Sequence, residues 1–110
     1  MGNEKSAELL PGTLDLLILK TLVRARLHGY AIAQNLRIIS DDVLQVGESS
    51  LYPALQRLLL NGWVDAEWGA SENNRRARYY TLTAAGRKQL ETERKQYRRM
   101  AGAIEKVLEA

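Results

Sequence analysis

Along the 110-residue chain, hydrophobic positions first recur at helical spacing, then alternate, and finally return to helical spacing. Leu14, Leu17, Ile18 and Leu22 share one stripe with Thr21, while Leu16, Leu19 and Val23 form a second. A helix apolar on two sides needs two partners, its own core and a further surface such as a second subunit. The first eight residues are polar and expected to be loose. Pro11-Gly12-Thr13 then opens the helix, with Thr13 as N-cap and Asp15 favourable in the first turn. His28-Gly29 breaks it. A second helix, Tyr30 to about Ile39, puts Ile32, Ala33, Leu36 and Ile39 on its inner face. Ser40-Asp41-Asp42 reads as a loop and Val43–Val46 as a short strand. Gly47-Glu48-Ser49-Ser50 carries capping chemistry for a third helix, along which Leu51, Leu55, Leu58 and Leu59 keep helical spacing. Pro53 falls in its first turn, where a missing N–H costs little, and Asn61-Gly62 ends it.

The period then changes to two. Trp63–Trp68 sets Val64, Ala66 and Trp68 against Trp63, Asp65 and Glu67. Ala77–Thr83 sets Arg78, Tyr80 and Leu82 against Ala77, Tyr79 and Thr81, and the polar loop Gly69–Arg76 suits a hairpin. Thr83 caps a last helix whose Tyr97, Met100, Ile104 and Val107 step by three and four, with Leu108 completing the seam. The order predicts a mainly α fold with a small β-hairpin wing, a winged helix-turn-helix with a long C-terminal dimerisation helix. We expect one domain over 1–110, its body at about 10–83 and the last helix at about 84–109. That helix spans roughly 39 Å, more than a globule of roughly 13 Å radius of gyration covers. A homodimer partner lying along Leu16, Leu19, Tyr97, Met100, Ile104 and Leu108 is the simpler expectation.

Composition narrows the function. Hydrophobic residues make up 45%, enough for a core, yet Phe is absent, so Leu, Ile, Val and Ala must build it. With no Cys and one His, His28, the chain offers no thiolate site, histidine cluster or conventional triad. No metal or cofactor is expected. His28 suits a helix end or loop better than a pH sensor or ligand site, and Gly86 suits a close backbone approach. No stretch is apolar and long enough to span a bilayer and no signal peptide is evident, which predicts a soluble cytoplasmic protein without a membrane partner. Charge is uneven. From Asn73 to Met100 nine basic residues face two acidic ones, net +7; the remaining seven basic and eleven acidic residues give −4. A basic block in an otherwise acidic chain points to a polyanion, although a solvated helix face would also carry such a run.

The candidate reader is the third helix. Its N-terminal turn offers Ser49, Ser50 and Tyr52, followed by Gln56 and Arg57, while Leu51, Leu55 and Leu58 face inward. Ordinary capping and surface polarity would look the same. The hairpin is more pointed: Asn73, Asn74, Arg75, Arg76 and Arg78 gather long donors at one tip, where they could reach a groove or backbone. Charged strands also protect sheet edges, and both roles are compatible.

These residues carry a resemblance. His28-Gly29-Tyr30, the run from Gly47 to Leu58 containing Ser50-Leu51-Tyr52-Pro53, Gly62-Trp63, and Tyr80-Thr81-Leu82-Thr83 with Gly86 are similar to the PadR family of bacterial transcriptional regulators. The resemblance covers about residues 10 to 95. It implies a winged-helix repressor acting as a homodimer through its C-terminal helix, in the subclass with a single short one. It further implies reading by Ser49, Ser50 and Tyr52, phosphate contact from Arg57, and wing contacts from Arg75, Arg76 and Arg78. Where the family more often has Gly, this chain has Ser49; where it usually has polar residues, this chain has Leu59 and Leu60.

Three functions remain open at this stage. One is a dimeric repressor on a palindromic stretch of double-stranded DNA. Another is a winged-helix module docking on protein, motivated by Leu60. The third is a repressor released by a small aromatic effector at the dimer interface. An enzyme is disfavoured, because no nucleophile–base pair, metal constellation or phosphate-cradling loop is present.

Overall fold

The computed structural model describes residues 12–110. The expectations for residues 1–8 and for Pro11 lie outside that range. Helix α1 spans Thr13–Thr21, with Gly12, at φ 89°, in the N-cap position expected of Thr13. It stops well before His28. The Thr21 hydroxyl bonds back to the Leu17 carbonyl at 2.8 Å, and the Leu22 N–H is shared between the carbonyls of Ile18 and Leu19. The chain then turns and enters β1, Leu27–His28, and α2, Gly29–Ile39. Helix α3 is Glu48–Leu60, strands β2 and β3 are Val64–Ala70 and Arg76–Leu82, and α4 is Ala84–Glu109. This is a winged helix-turn-helix with a long C-terminal helix.

The sheet has three strands in the order β1-β3-β2, all antiparallel. The third strand is not the expected one. Val43–Val46 is irregular, and Val43 is half exposed. Asp41 and Asp42 adopt left-handed conformations (φ 54° and 69°), and the Ser40 hydroxyl accepts the Leu44 N–H at 2.8 Å. The segment that follows this turn joins no strand of the sheet. Leu27–His28 pairs with Tyr80–Tyr79 instead.

One core unites the elements: Ile18, Leu19 and Leu22 from α1, Ile32 and Leu36 from α2, and Leu51, Ala54, Leu55 and Leu58 from α3. Val64, Tyr80 and Leu82 close it from the sheet, and Leu90 from α4. Two expectations need correction. Ile39 is 73% exposed, because it stands at the last position of α2, past the core. Leu19 has no exposed surface, so it belongs to the chain's own interior and has nothing to offer a second copy.

Three further local features follow from the sequence. Thr83 caps α4, its hydroxyl accepting the Gly86 N–H at 2.9 Å and donating to the Gly62 carbonyl at 2.8 Å. Gly62 takes the left-handed φ of 75° that ends α3. Gly86 lies against the Trp63 carbonyl, where any side chain would overlap it. Beyond Leu90 no residue of α4 is buried, and Tyr97, Met100, Ile104, Val107 and Leu108 are all exposed. The projecting helix gives a radius of gyration of 15.2 Å, above the roughly 13 Å of a compact chain this long. Among the described residues no helix is long and apolar enough to cross a membrane.

Candidate nucleic-acid interface

Helix α3 begins at Glu48, one residue earlier than Ser49, and Gly47 caps it through its backbone carbonyl, which accepts from Ser50 and Leu51. Ser49 and Ser50 are therefore not caps. Among the described residues their hydroxyls make no hydrogen bond, and both residues are exposed. The shifted start moves Pro53 into the second turn, inside the helix. There its missing N–H leaves the Ser49 carbonyl without its i+4 donor. The buried Leu51, Leu55 and Leu58 turn Ser49, Ser50 and Gln56 to solvent.

Tyr52 is held by an unexpected neighbour. A Cβ on Gly29 would stand 2.9 Å from the Tyr52 ring and hydroxyl, so the glycine makes room for the ring. Burial raises the Tyr52 phenol above its ordinary value of 10.0, helped by the Glu48 charge and by Tyr80. The phenol stays neutral and able to donate. His28 fixes the same corner, its Nδ1 accepting the Ala31 N–H at 3.2 Å as the N-cap of α2. That is the helix-end role expected of it.

The wing is longer and tighter than its sequence suggests, with strands reaching Ala70 and Arg76. Ser71 N–H donates to the Arg75 carbonyl at 2.8 Å and Asn74 N–H to the Ser71 carbonyl at 2.9 Å. Asn74 supplies the left-handed φ of 60° at the tip, a conformation Asn tolerates better than most residues. An open cleft of about 670 Å³ separates the wing from the helices, lined by Tyr30, Tyr52, Trp68, Arg75, Arg76 and Arg78. Thus four of the expected contact residues meet in one place. Among the described residues no carboxylate lies within ion-pair distance of Arg75, Arg76 or Arg78.

Arg57 stands apart. Its guanidinium pairs with Asp15 of α1 at 2.9 Å, and must leave that carboxylate or share its donors to touch a phosphate. Two cleft residues escaped the sequence reading. Tyr30 is exposed at the start of α2, and Trp68 is 58% exposed although its strand face begins in the core at Val64. A large aromatic at the far end of an alternating face, beyond the reach of the core, was the available signal.

The projecting part of α4 and the start of α1 form a second groove of about 510 Å³, walled by Leu16, Tyr97, Met100 and Ile104 with Asp15 and Glu93 beside them.

Residues 18–92 match the transcriptional regulator PadR-like family, from the core of α1 through the first turns of α4. The chain belongs to this family. A solved transcriptional regulator from Clostridium thermocellum is 32% identical with a TM-score of 0.79, over 86% of this chain and 92% of that one. A PadR family transcription regulator from Clostridium difficile is 26% identical with a TM-score of 0.74, over 88% and 99%. An uncharacterised protein from Lysinibacillus sphaericus is 27% identical over 81 residues, 74% of each chain. PadR-like regulators bind DNA, and the family is one of transcription regulators, not enzymes. Of the functions left open above, the family match agrees with the two that act as transcriptional regulators.

Proposed function

We propose that this PadR-like regulator is a repressor that binds a palindromic operator as a homodimer, with α3 in the major groove and the wing on the adjacent backbone or minor groove. The observation that carries the contact assignment is the cleft in which Tyr52 of α3 meets Arg75, Arg76 and Arg78 of the wing. A phosphodiester strand running between two grooves fits an open channel lined by unpaired guanidiniums and a phenol donor. Ser49, Ser50 and Gln56 project from the same helix toward base edges. Asn74 reaches the backbone from the tip, and Arg57 does so on release from Asp15. Repression itself is supported by the family resemblance alone.

Pairing through α4 is supported by the apolar residues it exposes, Leu108 among them, with Leu16 alongside Tyr97, Met100 and Ile104. Two-fold symmetry then implies half-sites about one helical turn apart. Selection of bound sequences from randomised duplex by the purified protein tests both points. The expected product is a symmetric pair of half-sites, and a single asymmetric site or no enrichment would contradict it.

The groove between α1 and α4 favours a second reading, release by a small aromatic effector, since its walls are largely apolar. A thermal-shift screen of phenolic compounds checks it, with loss of bound DNA as the required second readout.

A further inference from the structure

Among the described residues three arginines are engaged by carboxylates: Arg26, which also lies over the Tyr79 ring, with Glu67 at 2.8 Å, Arg37 with Asp42 at 3.1 Å and Arg57 with Asp15 at 2.9 Å. Arg76 is held differently. Its guanidinium carbon lies 4.6 Å from the centroid of the Trp68 ring. In the β2–β3 register Trp68 stands directly opposite Arg78, and Ala70, two residues further along, stands opposite Arg76. Successive same-side positions of β3 thus place a guanidinium opposite the indole and another diagonal to it. Both arginines line the cleft with the indole.

The chemistry of the two kinds of restraint differs. A carboxylate partner occupies guanidinium donors and cancels the charge. An aromatic face takes the flat side of the guanidinium and leaves its N–H edge and its charge free. We infer that Trp68 is a positioning residue for DNA binding: its indole holds the Arg76 guanidinium flat beside the cleft, donors outward, for a phosphate of the duplex backbone. This rests on the reading of the wing as a DNA contact and adds to it a residue outside the basic set. It also accounts for an indole 58% exposed on the edge strand of the sheet, where it fills no core.

The test is anisotropy of a labelled duplex with the full chain and four variants: Trp68→Leu, Trp68→Phe, Arg76→Ala and the double Trp68→Leu/Arg76→Ala. Exposed cation–π contacts correspond to about a two- to fivefold change in affinity, so Trp68→Leu should weaken binding by that factor. The loss should be the same for operator and unrelated duplex, as befits a phosphate contact. Trp68→Phe should restore most of it. On the Arg76→Ala background Trp68→Leu should have no further effect, because the indole acts through that guanidinium. Unchanged or tighter binding by Trp68→Leu overturns the inference, as does an undiminished loss in the double variant. Failure of the parent protein to bind duplex at low salt overturns the DNA reading itself, a result distinct from either.

Discussion

Replacing Gly86 with Ala should destabilise the protein even though Ala is the better helix former. The added methyl would overlap the Trp63 carbonyl oxygen and stand 2.7 Å from Leu82 Cδ1. Relief requires the first turn of α4 to move away from the strands. That oxygen also accepts the Thr83 N–H at 3.1 Å, and Thr83 in turn caps Gly86. Overpacking a filled site costs about 1–3 kcal/mol, and weakening an N-cap adds about 1 kcal/mol. The intrinsic gain of Ala over Gly, about 1 kcal/mol in a helix interior and less near an end, offsets only part of this. The net loss of about 2 kcal/mol corresponds to a fall in melting temperature of roughly 10 °C for a domain of this size. Gly102→Ala is the internal control, since a Cβ there meets nothing within 4 Å and the same propensity gain should raise the melting temperature. Circular-dichroism melts at one protomer concentration measure both, which matters if the chain dimerises. If Gly86→Ala melts at or above the parent temperature, the close approach of α4 to Trp63 is not a constraint and the reasoning fails.

Other changes probe the proposed reader and the corner that holds it. His28→Ala should cost about 1 kcal/mol in chemical denaturation through loss of the α2 cap, and His28→Asn should recover most of it. Gly29→Ala should force the Tyr52 ring from its seat, 2.9 Å from the new Cβ, and weaken duplex binding along with a stability loss of about 1–3 kcal/mol; unchanged affinity would detach Tyr52 from the site. In ultraviolet difference titration the Tyr52 phenol should ionise above 10.0. The folded state then holds that proton longer than the unfolded state. Stability should therefore fall as pH rises through 10.0 and on through the raised folded value. Tyr52→Phe should lack that part of the alkaline loss.

The long elements were legible because periodicity and punctuation agreed. The last helix runs from Ala84 to Glu109 as its seam and the Thr83 cap indicate. The leucines of α3 fix which side of that helix faces outward. Where the local pattern was read without its neighbours, it misled. Val43–Val46 is mostly apolar and β-branched at both ends, like a short strand, but after the aspartate turn it runs irregularly and joins no sheet. Leu27–His28 is too short to show any period and pairs only because the chain's return brings it beside β3. Leu19 looked like part of a spare stripe, but the helices packed around α1 bury it completely. The arginines of the wing were visible as charge. The partners that distinguish them, Trp68 beneath Arg76 and Asp15 beside Arg57, lie in other elements and emerge only when the chain is folded.

The central claim is that the wing arginines of this regulator contact the phosphate backbone of duplex DNA. The most direct measurement is the slope of log binding constant against log salt for the parent and for Arg75→Ala/Arg76→Ala. Three wing arginines and Arg57 on each of two protomers predict a parent slope of about −7 at roughly −0.9 per phosphate. Losing two from each should bring it to about −4 and weaken binding to operator and unrelated duplex alike. A parent slope near zero, or one that the double substitution leaves unchanged, would contradict the account.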